Sequence, residues 1–204
     1  MERENYYRVT EVLCPFNGYG SAPASLMKQY QRRGTIVHKA CNRFTEIGND
    51  WYLDLEIDGI QASDEEVSIA MPYVESFSQW FSPNTMEVIE KEERLFDDSL
   101  ELTGEPDLII SQGGCLYIDD IKTSKSVNKT WAFQIAAYRY LMKNRRIGNL
   151  YPYKRRVIQL SGEGNLPNII EFDDYEAEID IFLKAFDVYR TLCPRKKVIY
   201  EEGE

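Results

Sequence analysis

Three charged side chains near the middle of the chain could form a hydrolytic site. Asp107 is followed by Asp120 and Lys122, thirteen and fifteen positions later. If residues 116–122 form a strand, alternation places Asp120 and Lys122 on one face and Asp119 on the other. A short hairpin would bring Asp107 beside Asp120, where two carboxylates repel unless a hard cation such as Mg²⁺ or Mn²⁺ lies between them. A lysine beside such a cation can orient a water or neutralise charge on a phosphate.

The elements that must position these residues follow from hydrophobic periodicity and turn signals. The sequence predicts helices at 25–46, 64–81, 130–144 and 175–192, and strands at 86–89, 100–102, 108–110, 116–122, 155–160 and 168–172. The strands between residues 85 and 122 are expected to form an antiparallel meander of three or four strands. No internal repeat or linker divides the chain, so we expect a single domain over residues 1–204.

Basic residues are segregated along a chain whose formal net charge is -10. Residues 12–45 contain five Lys or Arg and residues 121–160 contain ten, and neither segment contains an acid. Net negative charge by itself argues against a nucleic-acid partner, since phosphate binding depends on Lys and Arg. The two segments are therefore either separate solvated faces or one positive surface that binds a polyanion.

Composition also excludes several classes of protein. No apolar run approaches the roughly 20 residues that cross a bilayer, and the first twenty residues do not resemble a signal peptide, so we expect a cytoplasmic protein without a membrane partner. The four cysteines, at 14, 41, 115 and 193, contain no CxxC pair. Free thiols are thus favoured over a zinc ribbon or an iron-sulfur site.

Several short motifs resemble those of the PD-(D/E)XK nuclease superfamily. Pro106-Asp107 and Asp120-Ile121-Lys122 resemble its two signature segments, with Asp in place of the commoner Glu. Gln134 and Tyr138, four apart on a predicted helix, resemble the QxxxY motif of the RecB-like branch, and the sequence GTIVH at 34–38 resembles its GxxxH motif. The segments 8–13 and 32–34 are also similar to those of the phage exonucleases and the mitochondrial genome maintenance exonuclease.

The resemblance implies a fold and an activity. The fold would be α/β (α+β), with a restriction-endonuclease-like core in which helices flank a central mixed β-sheet. The activity would be that of a metal-dependent DNA exonuclease in phage recombination or DNA repair. His38, Asp107, Asp120 and the carbonyl of Ile121 would bind Mg²⁺ or Mn²⁺, and Lys122 would position the attacking water. The iron-sulfur relatives carry a group of cysteines after the nuclease motifs; only Cys193 follows them here, so no iron-sulfur cluster is predicted.

Further residues would support the reaction or hold DNA. Gln134 and Tyr138 would fix the strand near the scissile bond, and Tyr138 could also stack on a base or bind a phosphate. Glu92 occupies the position of a supporting acidic residue, although Glu90 and Glu93 are alternatives. The residues expected to follow the DNA backbone without reading sequence are Arg32, Arg33, Lys39, Lys125, Lys129 and Tyr138.

Other interpretations remain open from the sequence. His38 could be an ordinary helix residue, Gln134 and Tyr138 could simply pack, and Glu92 could belong to a solvated acidic stretch. The same motifs would suit a structure-specific or nicking endonuclease, or a catalytically inactive nucleic-acid-binding module. Digestion polarity, strand preference, processivity, a recombination partner protein and the oligomeric state do not follow from the residues.

Overall fold

The structure is a computed structural model that describes residues 5–18, 23–143 and 152–195, with the side chains of residues 152 and 153 left aside. Its helices are α1 (Val9–Leu13), α2 (Ala24–Ile47), α3 (Asp64–Trp80), α4 (Thr130–Leu141) and α5 (Tyr175–Leu192). Its strands are β1 (Tyr7–Arg8), β2 (Glu56–Ile57), β3 (Ile60–Gln61), β4 (Met86–Lys91), β5 (Leu95–Asp97), β6 (Leu102–Gly104), β7 (Leu108–Gln112), β8 (Cys115–Lys122), β9 (Pro152–Gln159) and β10 (Asn168–Glu171).

A five-stranded mixed sheet forms the centre of the fold, in the order β10-β9-β8-β7-β4. The pair β8–β9 is parallel, and the other neighbouring pairs are antiparallel. The parallel pair is connected through α4, which is the crossover that parallel strands require. The predicted fold class, a central mixed sheet flanked by helices, is confirmed.

Apolar side chains on the two faces of this sheet form two separate cores. On one face Ile109 and Ile118 pack with Ile135 of α4 and with residues of α1 and α5. On the other face Ile110 and Ile121 pack with residues of α2 and α3. The alternation of side chains along β8 therefore assigns each of its residues to one layer of helices or the other.

Local signals account for the helices that frame the site. Ser63 caps α3 in a capping box, since its side chain accepts from the Glu66 amide and the Glu66 carboxylate accepts from the Ser63 amide. Helix α2 ends at Gly48, whose φ of 64° suits glycine. The predicted helices at 25–46, 64–81 and 175–192 agree with the structure within one or two residues. The predicted helix at 130–144 reaches beyond the described residues.

The predicted meander is only partly correct. Strands β4, β7 and β8 do form an antiparallel unit, but β5 and β6 leave it and form a small sheet with β1. The strand predicted at 100–102 begins only at Leu102, because residues 98–101 form the turn between β5 and β6. Asp97 organises that turn by accepting hydrogen bonds from the amides of Ser99 and Leu100. The strands β1, β2, β3 and β5 are two or three residues long, and their hydrophobic runs are too short for the sequence to predict them as strands.

Among the helices of the described ranges, none is both long and apolar enough to cross a membrane.

Candidate active site

The register of β7 and β8 brings the first two candidate carboxylates together. Leu108 lies opposite Asp119, so Asp107, just before β7, lies beside the end of β8 where Asp120 stands. The backbone amide of Ile121 donates to Asp107 Oδ2 at 2.6 Å. Both carboxylates are buried. Strand pairing therefore holds two acidic groups at one edge of the sheet, as the hairpin argument predicted.

Helix α2 supplies the third candidate. Val37, Ala40 and Cys41 pack into the core and leave His38 facing the end of β7. His38 Nδ1 lies 3.0 Å from Asp107 Oδ1, and 27% of the imidazole side chain remains exposed. Burial lowers the pKa of His38, but the charge of Asp107 and its hydrogen bond with the imidazole together outweigh burial, so the pKa is raised overall.

Lys122 and Gln134 complete the cluster from β8 and α4. Lys122 Nζ lies 2.5 Å from Asp120 Oδ2 and donates to Gln134 Oε1 at 3.1 Å. Gln134 Nε2 donates to Asp120 Oδ1 and to the Tyr138 hydroxyl, each at 2.9 Å. Burial, followed by the negative charge of Asp120, raises the pKa of Tyr138 well above its ordinary value, so its hydroxyl stays protonated. The four side chains form one connected network.

Burial and mutual charge set the protonation of the two carboxylates. Burial raises the pKa of Asp107, but the positive charges of His38 and Lys122 and the Ile121 amide lower it overall. Burial and the neighbouring Asp107 charge raise the pKa of Asp120, and Lys122 only partly opposes this. The negative charge of Asp120 is therefore undercompensated, which is the condition that a bound cation relieves.

The donor chemistry of the cluster suits a divalent metal ion. Asp120 Oδ2 is buried, and within the described ranges it forms an ion pair with Lys122 Nζ at 2.5 Å. Two carboxylates and an imidazole are ligands that Mg²⁺ or Mn²⁺ can use. In the described ranges no three His, Cys, Asp or Glu side chains stand together as a ready-made metal cage. The donors instead pair as His38–Asp107 and Lys122–Asp120, and a metal ion would have to replace part of this pairing.

Glu92, one of the three candidate glutamates at 90, 92 and 93, contacts the cluster through its backbone. It follows β4 directly, has a φ of 49°, and donates its amide to the carbonyl of Asp107 at 3.2 Å. Its carboxylate binds Lys39 Nζ at 2.5 Å. The ammonium of Lys39, which we predicted to contact DNA, is thus held by Glu92.

A cleft of about 500 Å³ opens beside the cluster. His38, Lys122 and Gln134 form part of its wall, Arg33 and Lys125 add positive charge, and no Asp or Glu of the described ranges lines it. Arg33 donates to the carbonyl of Thr123 and has no acidic partner within those ranges. A cleft with cationic and no anionic walls favours a polyanionic ligand.

The expectation of one continuous positive surface is wrong for several of the basic residues. Arg32 points away from the cleft and forms ion pairs with Asp58 and Glu66. Arg155 and Arg156 are buried in ion pairs with Glu178 and Asp119. A segment without acids still meets acids from other parts of the chain when it folds. Among the described residues, Arg33 and Lys125 line the cleft, and Lys129 is exposed four positions after Lys125.

The proposed stacking of Tyr138 on a base is also wrong. Its ring is only 3% exposed and packs against Gly104, where a Cβ would lie 2.8 Å from two ring carbons. Tyr138 reaches the cluster through its hydroxyl and Gln134 alone. Asp119 lies on the opposite face of β8 and binds Arg156 with both oxygens, as alternation predicted.

The structure adds residues that the sequence did not single out. Asn17 accepts from Asn128 through its carbonyl and from Thr130 through its side chain, and so holds the start of α4 against the segment that follows α1. Thr10 and Tyr30 line the cleft. The hydrogen bonds of Asn17 join residues more than a hundred positions apart, and no local sequence pattern predicts them.

One comparison with known proteins identifies the family. The sequence model of the PD-(D/E)XK nuclease superfamily matches residues 14–187. No curated protein matches the chain. Among solved structures, that of a protein designated SSO0001 is 14% identical, covers 79% of this chain and 84% of its own, and has a TM-score of 0.36. That structural similarity is too low to carry an argument about fold or function.

Proposed function

Because the chain belongs to the PD-(D/E)XK nuclease superfamily, we propose that it is a Mg²⁺- or Mn²⁺-dependent DNA exonuclease. It would hydrolyse phosphodiester bonds at chain ends during phage recombination or DNA repair. Nucleases of this superfamily generally use divalent metal ions. The RecB-like branch, the single nuclease domain over residues 1–204 and a cytoplasmic site of action form part of the same proposal.

One observation carries the proposal. A buried network of two carboxylates, an imidazole, an ammonium and an amide stands at the wall of a cleft that no acid lines in the described ranges. A purely structural ion-pair network would not need to open onto a positively charged cleft. A catalytically inactive binding module would not need a buried Asp120 whose negative charge is only partly balanced by Lys122.

The metal ion would be held by Asp107, Asp120, His38 and the carbonyl of Ile121, with Glu92 supporting a second ion or a water. When bound, the ion supplies positive charge that stabilises the charge developing on the phosphate oxygens. The amide of Ile121 holds Asp107 Oδ2, so Oδ1 is the oxygen directed towards His38.

The protein residues supply orientation and charge. Lys122 would hold the attacking water and neutralise a non-bridging phosphate oxygen. Gln134 is a positioning residue, since its oxygen and both of its amide protons are used by Lys122, Asp120 and Tyr138. Arg33 and Lys125 would contact phosphates along the cleft, which gives binding without sequence recognition.

The alternative enzyme is a structure-specific or nicking endonuclease. The residues outside the two basic segments, which carry the chain's excess of acids, are a candidate contact for a recombination partner protein.

Cleavage of linear and covalently closed circular DNA with Mg²⁺ or Mn²⁺ separates these activities. We expect linear DNA to be degraded, EDTA to stop the reaction, and Lys122→Ala to lower the rate by about a thousandfold or more while DNA binding is retained. Lys184→Ala, which removes an exposed lysine of α5, is the matched control. Cutting of the closed circle would favour the endonuclease, and a fully active Lys122→Ala enzyme would remove the catalytic assignment.

A further inference from the structure

Gly34 is an interior residue of α2, where glycine is an unfavourable choice. The helix runs without a break from Ala24 to Ile47. Glycine destabilises a helix interior relative to alanine, because it has more backbone freedom to lose on folding. The backbone of Gly34 is helical and its φ is not positive, so no left-handed conformation requires a glycine here. The local structure of α2 therefore gives no reason for this residue.

The packing of the protein gives no reason for it either. Beyond the adjoining chain of the helix itself, a Cβ at residue 34 would have no heavy atom of the described residues within 4 Å. Gly104 is different, since a Cβ there would lie 2.8 Å from ring carbons of Tyr138. An alanine at position 34 would thus fit and would stabilise α2. The candidate reason for the small residue is then a group that binds to the protein.

The open space beside Gly34 is the active-site cleft, which Gly34 helps to line. Met27, Gln31 and His38 line the same cleft. These three residues and Gly34 follow one another at intervals of four, three and four positions, so they lie on one face of α2. Gly34 therefore leaves a gap in this row of side chains, about one helical turn before His38.

The cleft is bridged beside this gap. Arg33 Nη2 donates to the carbonyl of Thr123 at 3.4 Å, and so connects α2 to the segment that follows β8. Lys122, the last residue of β8, also lines the cleft. A side chain at position 34 would project into the space that the Arg33 bridge leaves open near His38 and Lys122. A ligand that reaches these two residues along α2 therefore passes over the gap.

The gap offers close approach and not a hydrogen bond. Inside a helix the amide of each residue donates to the carbonyl four positions earlier, so Gly34 has no free donor for a ligand. The cleft contains Arg33 and Lys125 and, in the described ranges, no Asp or Glu. The group that fits against the bare helix backbone is therefore anionic, as the sugar–phosphate backbone of a nucleic-acid strand is.

We propose that the sugar–phosphate backbone of the substrate strand passes directly against α2 at Gly34. The absence of a side chain lets the strand come within reach of His38 and Lys122, so Gly34 is a positioning residue. The inference rests on the proposed nuclease function and adds the path of the strand to it. It also gives the first residue of the GTIVH segment at 34–38 a role distinct from that of His38.

The test is a size series at position 34, with binding of a labelled DNA oligonucleotide measured in the Lys122→Ala protein. Gly34→Leu should raise Kd by about tenfold or more, because its side chain occupies the path of the strand, and Gly34→Ala should raise Kd less. Both variants should unfold at the same urea concentration as the parent protein or at a higher one, since alanine and leucine favour the helix. Gln29→Leu, at an exposed position of α2 that does not line the cleft, is the matched control and should leave Kd unchanged.

The competing role for a glycine inside a helix is that of a hinge. A hinge would make Gly34→Ala as harmful as Gly34→Leu, with a lower kcat and an unchanged Kd, because both substitutions stiffen the helix. Cleavage by the two variants with Lys122 intact measures kcat. A loss of kcat that does not depend on side-chain size, or an unchanged Kd in Gly34→Leu, would overturn the proposed path.

The series also separates this inference from the nuclease proposal. If the wild-type protein binds DNA but cleaves none with Mg²⁺ or Mn²⁺, the nuclease proposal fails, and the Kd values still decide whether the strand passes Gly34. If the wild-type protein binds no DNA, both proposals fail.

Discussion

At the scale of single residues, Gln134 explains how the site keeps its geometry. Its amide group has one acceptor and two donors, and the network uses all three. A carboxylate in its place would keep the acceptor but would set a negative charge beside Asp120 and lose the donors to Asp120 and Tyr138. The orientation of the Asp120 carboxylate and of the Lys122 ammonium thus depends on one neutral side chain.

This dependence predicts the effect of changing Gln134. Gln134→Ala should lower metal affinity or activity about 10- to 100-fold, because residues that orient metal ligands usually act at that level. Gln134→Glu should be at least as impaired, although it preserves size. Metal titrations followed by kcat and KM measurements check both variants. Restoration of full activity in Gln134→Glu would show that shape alone matters at this position.

At the scale of elements, the β5–β6 hairpin holds the segment that leads to Asp107. Asp97 closes its turn through Ser99 and Leu100, and Asp97 Oδ2 binds Lys143, just after α4, at 2.9 Å. Burial raises the pKa of Asp97, but hydrogen bonds from Ser99, the ion pair with Lys143 and the Leu100 amide lower it overall to about 2. The hairpin is thereby fastened to the end of the helix that carries Gln134.

The lowered pKa predicts a pH-dependent contribution of Asp97 to stability. Its folded pKa lies below the ordinary value of 3.8, so the charged form stabilises the fold above about pH 4. Asp97→Asn should therefore reduce the free energy of unfolding by about 2 kcal/mol at pH 7. The difference from wild type should shrink as the pH falls from about 4 towards about 2.

Urea unfolding at a series of pH values measures this difference. Asp187→Asn, at an exposed position paired with Arg190 on α5, is the control and should change stability by less than about 0.5 kcal/mol. A constant difference between Asp97→Asn and wild type at all pH values would show that the ionisation of Asp97 contributes nothing.

At the scale of the whole molecule, the pairing of charges decides which cations can bind a nucleic-acid substrate. The neighbouring residues Arg32 and Arg33 illustrate this. Arg32 turns towards Asp58 and Glu66, whereas Arg33 turns into the cleft, where it lies 5.1 Å from the Tyr30 ring centroid. Their helix positions differ by one residue, about a quarter of a turn. Two residues of the same type thus have different electrostatic environments.

This pair provides a prediction with an internal control. Arg33→Ala should weaken DNA binding and reduce the slope of log K against log salt concentration by about 0.7 to 0.9, the loss of one phosphate contact. Arg32→Ala should leave the slope unchanged, because its charge is compensated within the protein. Binding of the Lys122→Ala protein to DNA at several salt concentrations supplies the background for both variants. Equal effects would place Arg32 and Arg33 on the same DNA-binding surface.

The sequence by itself determined the local features of this protein. Period-2 and period-3.6 patterns located the principal helices and the strands of the central sheet, because burial of an apolar face imposes those periods. Alternation along β8 also separated Asp120 and Lys122 from Asp119, since that depends only on the strand geometry. The proximity of Asp107 to Asp120 followed from the short hairpin that joins two consecutive strands.

The tertiary structure alone decided how distant segments meet. It joined β6 to β1, placed His38 against Asp107, and tied Asn17 to the start of α4. It also determined that acidic residues compensate the charge of Arg32, that Tyr138 is buried, and that residues 123–125 line two clefts. Hydrogen bonds and ion pairs act over a few ångströms in space, whatever the separation of the residues along the chain. A local sequence pattern therefore does not predict which distant residues they join.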